Sequence, residues 1–322
     1  VPEPKLVDRR GLLKGVVGTA ALPWLAQRVA FGDQQARSPV KLSLGISTLG
    51  FPNYSNRELA VELAKAGIRT IQLFLNQKDS RYWRYNGRTD VSDLTDARCR
   101  AIADAYRSAG IAIHSLGVYT NLIHPDRAER EANLAYFEAM MKIARSMGVR
   151  YLITEAGHYR SEGPEPPVPF HFQEAVWRRT VAVARRLAEM AERHDVVVLV
   201  EPYFAGFFAS AKRTRVFLEE VGSPRLRALL DPANLLEVND LDEMFSQLGP
   251  WVDCLHAKDR KLHVEAGVPA GEGDVDYRRF VSLAVRRTPH APLILEYVGP
   301  DNYRKALESV RRALREAGVQ EA

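Results

Sequence analysis

The sequence predicts an α/β chain folded as a single-domain (β/α)8 barrel, and two observations carry that expectation. From Val40 onward, eight short apolar runs alternate with longer amphipathic stretches. Their starts lie roughly 25 to 45 residues apart, room for a strand, a helix and two loops. Four of the helical stretches stop at a glycine shortly before the next apolar run, the punctuation of repeated βα units. An open, doubly wound sheet is the competing architecture. It is disfavoured because no G-x-G-x-x-G follows an early strand.

In chain order, the first strand is Leu42–Ser47, and the helix Asn56–Ala66 follows it and stops at Gly67. Thr70–Leu75 comes next. A polar and aromatic loop, 76–93, carries Tyr82, Trp83 and Tyr85 and leads to the helix Asp96–Ala109, which ends at Gly110. Ala112–Gly117 precedes the helix Ala128–Met147, which ends at Gly148. Tyr151–Glu155 opens onto a proline-rich loop, 157–172, and then a long helix, Gln173–Arg193, with a basic outer face. Val196–Glu201 is followed by Lys212–Val221, which stops at Gly222. Ala228–Asp231 and Cys254–His256 are the sixth and seventh strands, with no helix assigned between them. The helix Tyr277–Arg287, the last strand Leu293–Glu296 and the helix Asn302–Ala317 complete the plan. Both long loops follow strands, where the mouth of a barrel lies, and are expected to shape a pocket.

Residues 1–36 read as an address and 37–322 as the barrel. Arg9-Arg10 stands ahead of a mildly apolar stretch, 15–26, the form of a twin-arginine export signal. The expected partner is the twin-arginine export machinery, and the expected location is periplasmic or extracellular. The apolar stretch is too short to span a bilayer, so no stable membrane span is expected. An amphipathic helix packed on the domain is the alternative.

Of the 322 residues, 46% are hydrophobic and 26% charged, which excludes a disordered or collagen-like chain. Lys and Arg number 45 against 40 Asp and Glu, a formal net charge of +5. Such a balance does not demand a nucleic-acid partner. Cys99 and Cys254 are the only cysteines, too few for a disulfide framework or a zinc knuckle.

The chemistry is expected at the ends of the last four strands. Glu201, Asp231, His256 and Glu296 each close an apolar run. A carboxylate or imidazole at the end of a buried strand is costly to desolvate unless paired or bound. Four on adjacent barrel strands point to one convergent site, and three carboxylates repel one another unless a cation holds them. Mostly oxygen ligands with one nitrogen suit Mn²⁺, Mg²⁺ or Co²⁺, and Zn²⁺ also fits. Substrate contacts are expected from Lys258, two residues past His256, and from Glu155 and His158 at the end of strand four. His114, within strand three, is a further substrate candidate, with packing inside the barrel as its alternative role. Tyr119 is a weaker pocket candidate. Tyr203, with Phe204, Phe207 and Phe208, forms an aromatic run suited to stacking on a sugar face or an aglycone. For Lys258 the competing role is a rim salt bridge with Asp259.

Several short stretches taken together resemble the sugar phosphate isomerase/epimerase group of the xylose isomerase-like TIM barrels. They are Glu201-Pro202, Leu230-Asp231-Pro232-Ala233-Asn234, His256-Ala257-Lys258-Asp259, the run from Pro269 to Tyr277, and Leu295-Glu296. The resemblance covers about Leu42 to Ala317. It implies that Glu201, Asp231, His256 and Glu296 hold one divalent metal, Mn²⁺ foremost, and that Glu201 and Glu296 act as the acid/base pair on a small carbohydrate. The implied reaction removes a proton beside a carbonyl and passes through an enediolate that the metal stabilises. Two positions depart from ketose 3-epimerases of the group. Pro202–Phe208 contains no carboxylate, where those enzymes carry a second glutamate that contacts the sugar, and Asn234, itself an expected substrate contact, stands where they have a histidine. β-Elimination from a 3-keto-glycoside, as by a lyase or hydratase, is therefore an alternative on the same site. An apurinic endonuclease and a non-catalytic sugar-binding protein are more distant alternatives, and a homo-oligomer is compatible with all of them.

Overall fold

The computed structural model describes residues 40–158 and 169–322. The twin-arginine segment and the centre of the proline-rich loop, 159–168, lie outside the described residues. The eight barrel strands are β1 (Leu44–Ser47), β2 (Thr70–Leu73), β3 (Ala112–Gly117), β4 (Tyr151–Thr154), β5 (Val197–Val200), β6 (Leu226–Leu230), β7 (Val252–Lys261) and β8 (Leu293–Leu295). Each pairs in parallel with its neighbours. Ile294 opposite Gly45 joins β8 to β1, so the sheet closes on itself. The surrounding helices are α1 (Asn56–Lys65), α2 (Asp96–Arg107), α3 (Arg127–Met147), α4 (Glu174–Arg193), α5 (Ala211–Val221), α6 (Leu241–Leu248), α7 (Tyr277–Arg287) and α8 (Tyr303–Glu316). Among the described residues, no helix is long and apolar enough to cross a membrane.

Strand periodicity decides what faces where. Successive side chains point to opposite faces of a strand. On β5 to β8, Val198, Val200, Ala228, Leu230, Leu255, Ala257, Leu293 and Leu295 belong to the core between sheet and helices. Their neighbours Val197, Leu199, Leu229, Cys254 and Ile294 fill the barrel interior with Ile153, Phe74 and Tyr119. Two residues beyond each interior position, at the C-terminal rim, stand Glu201, Asp231, His256 and Glu296. One further step of two along β7 reaches Lys258, and the same step past Ile153 reaches Glu155. The site is thus the top layer of the barrel's own packing.

Helix ends follow local rules. Ser55 caps α1 in a reciprocal box with Glu58. Gly148 and Gly222 end α3 and α5 at φ 73° and 70°, a left-handed conformation that side chains with a Cβ adopt at a cost.

Two elements differ from expectation. The helix α6 fills the stretch left unassigned between strands six and seven. Its buried residues Leu241, Met244, Phe245 and Leu248 recur at helical spacing, but over only two turns, and Asp240 caps it by accepting from the Glu243 amide. The seventh strand does not end at His256. It runs on to Lys261 and folds back as a hairpin with the strand Glu265–Pro269. The run His256–Lys261 is too charged to read as a strand in sequence, yet its charges are matched in the fold. Asp259 does not pair with Lys258. Its carboxylate accepts from the amides of Arg260 (2.9 Å), Gly271 (3.0 Å) and Val275 (2.9 Å). Arg260 bonds the Ala233 carbonyl and Glu237 and lies over the Phe204 ring. A side chain at Gly273 would run into the Asp259 carboxylate and the Arg260 carbonyl, so Gly273 lets the loop after the hairpin wrap that carboxylate.

Asp259→Ala is expected to strand buried amides and cost about 3 kcal/mol. Amide exchange should quicken first at Gly271 and Val275. Unchanged exchange there would contradict the role given to Asp259.

Candidate metal centre and its cavity

Local structure delivers each of the four rim side chains. Asp231 is the N-cap of the turn Pro232–Leu235. Its Oδ1 accepts from the amides of Ala233 (2.8 Å) and Asn234 (3.2 Å), with proline at the first helical position. That fixes the carboxylate and leaves Oδ2 facing the barrel axis. The Glu201 amide bonds the Thr154 carbonyl and the Glu296 amide bonds the Ala257 carbonyl, continuing the parallel ladders past the strand ends. One ligand atom from each of Glu201, Asp231, His256 and Glu296 lies within 4.8 Å of the other three, and all four residues are buried. Donor atoms bonded to one Mn²⁺- or Zn²⁺-sized cation stand about 3 to 4 Å apart, so small side-chain shifts would close this set around an ion.

The donor chemistry fits a cation. Nδ1 of His256 makes no hydrogen bond of ordinary length. It faces Glu201 Oε1 at 3.4 Å, Glu296 Oε2 at 3.5 Å and Asp231 Oδ2 at 3.6 Å. On the far side of the ring, Nε2 lies 2.7 Å from Gln72 Oε1. An amide oxygen only accepts, so Nε2 carries a proton, and Nδ1 is the nitrogen aimed at the carboxylates: protonated there without a cation, and free to coordinate one in the neutral ring. Lys258 is buried beside them, its Nζ 2.8 Å from Asp231 Oδ2 and 3.2 Å from Glu296 Oε2. Three carboxylates and one ammonium leave two negative charges around a neutral imidazole, the charge of one divalent cation.

The titration behaviour shows the same demand. Burial pushes the His256 imidazole down, but Glu296, Glu201 and Asp231 outweigh it and raise its pKa to about 10. Burial likewise opposes the Lys258 ammonium, and Asp231, Glu296 and Glu201 overcome it, holding its pKa well above the usual lysine range. Asp231 resists its own burial through Lys258 and His256 and falls to about 2. Glu201 is lowered by His256 against the same burial. Burial dominates at Glu296 and lifts it. The two glutamates are therefore unequal.

Glu201 is clamped from both sides. Tyr119 donates to Oε2 at 2.5 Å, and Asn234 Nδ2 donates to Oε1 at 2.8 Å. Asn234, expected as a substrate contact, thus holds a glutamate while also lining the cavity. The cavity above the quartet has a volume of about 420 Å³ and includes Glu155, Tyr203 and Lys258 in its lining. His158 reaches its rim through Tyr85.

Other expectations fail. His114 is not at the site. The pairing of β2 with β3 slips between Ile113 and Ser115, making His114 the extra residue. Its ring stacks on Tyr151 at 4.8 Å, at the N-terminal end of the barrel, and burial pushes its pKa down to about 4. Phe207 and Phe208 pack with Phe217 in the helix layer, and Phe204 lies under Arg260. Of the expected run, Tyr203 lines the cavity; Trp83 and Tyr85 join it from the loop expected to shape the pocket, with Tyr119, Phe74 and Tyr297. Gln72 and Tyr297 escaped the sequence reading. For Gln72 the readable signal is an amide inside the apolar run Thr70–Leu73.

The purified protein should take up one divalent ion per chain, measured by elemental analysis, and Asp231→Ala should abolish uptake. Gln72→Leu frees the His256 ring and is expected to weaken Mn²⁺ binding about 10- to 100-fold in a chelator competition. Equal affinity would show that Gln72 does not orient the ligand.

Sequence similarity runs in the same direction as this geometry. The chain is 23% identical to the L-ribulose-5-phosphate 3-epimerase UlaE of Escherichia coli K12 over 277 residues, 81% of this chain and 91% of that one. It is 28% identical over 138 residues to a protein of Methanoculleus marisnigri named Probable endonuclease 4, but that match spans only 42% of this chain and 43% of the other. The 3-keto-D-glucoside 4-epimerase YcjR of E. coli shares the fold with a TM-score of 0.65 at 14% identity, covering 84% of this chain and all of that one. The family described as Xylose isomerase-like TIM barrel matches residues 61–316, and the chain belongs to it.

Proposed function

We propose that the protein is a divalent-metal-dependent carbohydrate isomerase or epimerase that removes a proton from a carbon beside a carbonyl. The observation that carries this reading is the pair of unequal glutamates, Glu201 and Glu296, facing one cavity beside a buried, charge-matched ligand set. The epimerase relatives support it. A divalent cation held by Glu201, Asp231, His256 and Glu296, with Mn²⁺ preferred, would supply positive charge for the oxygens on which negative charge develops. Glu201, ionised and locked by Tyr119 and Asn234, takes the proton. Glu296, made the more basic of the pair by burial, takes up a proton and returns it. Lys258 steadies Asp231 and Glu296, and the surrounding aromatic rings exclude water and stack on the apolar face of a sugar.

A second reading, β-elimination from a 3-keto-glycoside, draws on the outer wall. Tyr85 and Tyr297 are 46% and 57% exposed at the mouth, where an aglycone ring would lie. It uses the same first step. We further propose export by the twin-arginine route, on the strength of Arg9-Arg10. Replacing both arginines by lysine should then retain a tagged copy in the cytoplasm.

The decisive assay incubates Mn²⁺-loaded protein in D₂O with a panel of ketoses, aldoses and methyl 3-keto-glucoside. Deuterium uptake without bond cleavage supports isomerisation, methanol release supports elimination, and neither outcome with any sugar would refute both. Glu296→Gln should keep its metal and lose at least about a hundredfold in turnover. Wild-type turnover in that variant would remove Glu296 from the acid/base pair.

A further inference from the structure

One residue of the cavity wall is held there by a strained backbone. Tyr297 follows Glu296 directly and has φ 56°. Among the described residues, the other non-glycine positions with left-handed φ are Asn86, Asp195 and His263, types that tolerate it. A bulky tyrosine adopts it only where the surroundings impose it. The turn changes what the ring faces. Leu295 packs between sheet and helices and Glu296 faces the barrel axis, so an extended residue 297 would return to the helix side. Val298 takes that place instead, and Tyr297 lines the cavity beside Glu296. The strand Glu265–Pro269 leaves room for it, since a Cβ on Gly267 would stand 2.5 Å from Cε1 of the ring. Lys258 Nζ lies 4.7 Å from the ring centroid. The ring nevertheless stays 57% exposed, so burial offsets little of the strain.

Depth sets the ring outside the reacting centre. Asp231 and His256 are fully buried, Lys258 beside them is 4% exposed, and Tyr297 lies on the outer side of that ammonium. A sugar whose carbonyl lies at the ligand set therefore presents its outward substituent to Tyr297. We infer that Tyr297 is a specificity-determining residue, a platform on which a second ring carried by the sugar stacks, and that the substrates are aryl glycosides. The sugar's position in this inference rests on the proton-abstraction reading. Lys258 decides the kind of ring. Its ammonium draws the π electrons of Tyr297 toward one face. The depleted opposite face suits an electron-rich aromatic ring better than the partly positive C–H face of a second sugar. Gly267 is the positioning residue that leaves the platform its space. The role is one of binding, with no bond made or broken at Tyr297.

The test is equilibrium binding by titration calorimetry, with phenyl β-D-glucoside, methyl β-D-glucoside and cellobiose, which carry no ketone beside the glycosidic carbons and so give binding without turnover. Wild type, Tyr297→Phe, Tyr297→Ala and Gly267→Ala are compared, each loaded with Mn²⁺. Wild type should bind the phenyl glycoside about tenfold more tightly than the methyl one, and more tightly than cellobiose. Tyr297→Phe should keep the phenyl-to-methyl ratio, and Tyr297→Ala should bring it to within about twofold of one. Gly267→Ala, which pushes the ring aside without removing it, should lower the ratio as well. Failure of the phenyl glycoside to bind wild type, equal binding of the two glucosides, or a tenfold preference surviving in Tyr297→Ala would overturn the platform. Tighter binding of cellobiose than of the phenyl glycoside would overturn the aryl class. The D₂O panel separates this inference from the reaction: wild type that prefers the phenyl glycoside yet exchanges or cleaves no sugar refutes the proton-abstraction reading and leaves the binding role of Tyr297 standing.

Discussion

The site depends on one electrostatic constraint. Three buried carboxylates share one site, beside an ammonium that cancels only one of their charges. Like charges so close in a low-dielectric interior cannot all remain ionised without compensation. His256 shows the size of the demand, since its pKa rises to about 10 despite full burial. A divalent cation meets the same demand with no proton on the ring. In the proposed reading, metal affinity and the readiness of the glutamates to move a proton would have this common origin.

The barrel supplies this constraint through its own packing. Leu199, Leu229, Cys254 and Ile294 seal the interior beneath the site. Going up two residues exchanges each apolar side chain for a ligand, so the rigidity of the hydrophobic layer is inherited by the polar one. A second ring of groups sets direction: Gln72 on the far nitrogen of His256, Tyr119 and Asn234 on Glu201, and two backbone amides on Asp231. The loop around Asp259 then braces β7 where it rises past the rim. Tyr277 adds to that brace by donating to the Lys258 carbonyl at 2.9 Å.

Much of this was legible in the sequence because strands and ligands obey a short repeat. The eight strands and the quartet at their ends follow from apolar runs closed by a polar residue, a local pattern. His114 shows the limit of that pattern. Nothing in its neighbours announces the extra residue in the β2–β3 pairing that places it at the opposite end of the barrel. The aromatic run after Glu201 divides for a related reason, with Tyr203 lining the cavity and its neighbours turning away. Phe207 and Phe208 sit close to Glu201 in the chain but turn into the helix layer, whereas Trp83 and Tyr85 come from a loop more than a hundred residues earlier. The extension of β7 is hidden because Lys258 and Arg260 find their partners, Asp231, Glu296 and Glu237, only in the folded chain.

The most direct test of the central claim is pulsed electron paramagnetic resonance on the protein loaded with one equivalent of Mn²⁺. The account requires a single tightly held ion with nitrogen coupling from one imidazole, lost in His256→Ala and retained in His114→Ala. A signal without nitrogen coupling, or one unaffected by removing His256, would place the ion elsewhere and leave the four converging side chains without the role assigned to them.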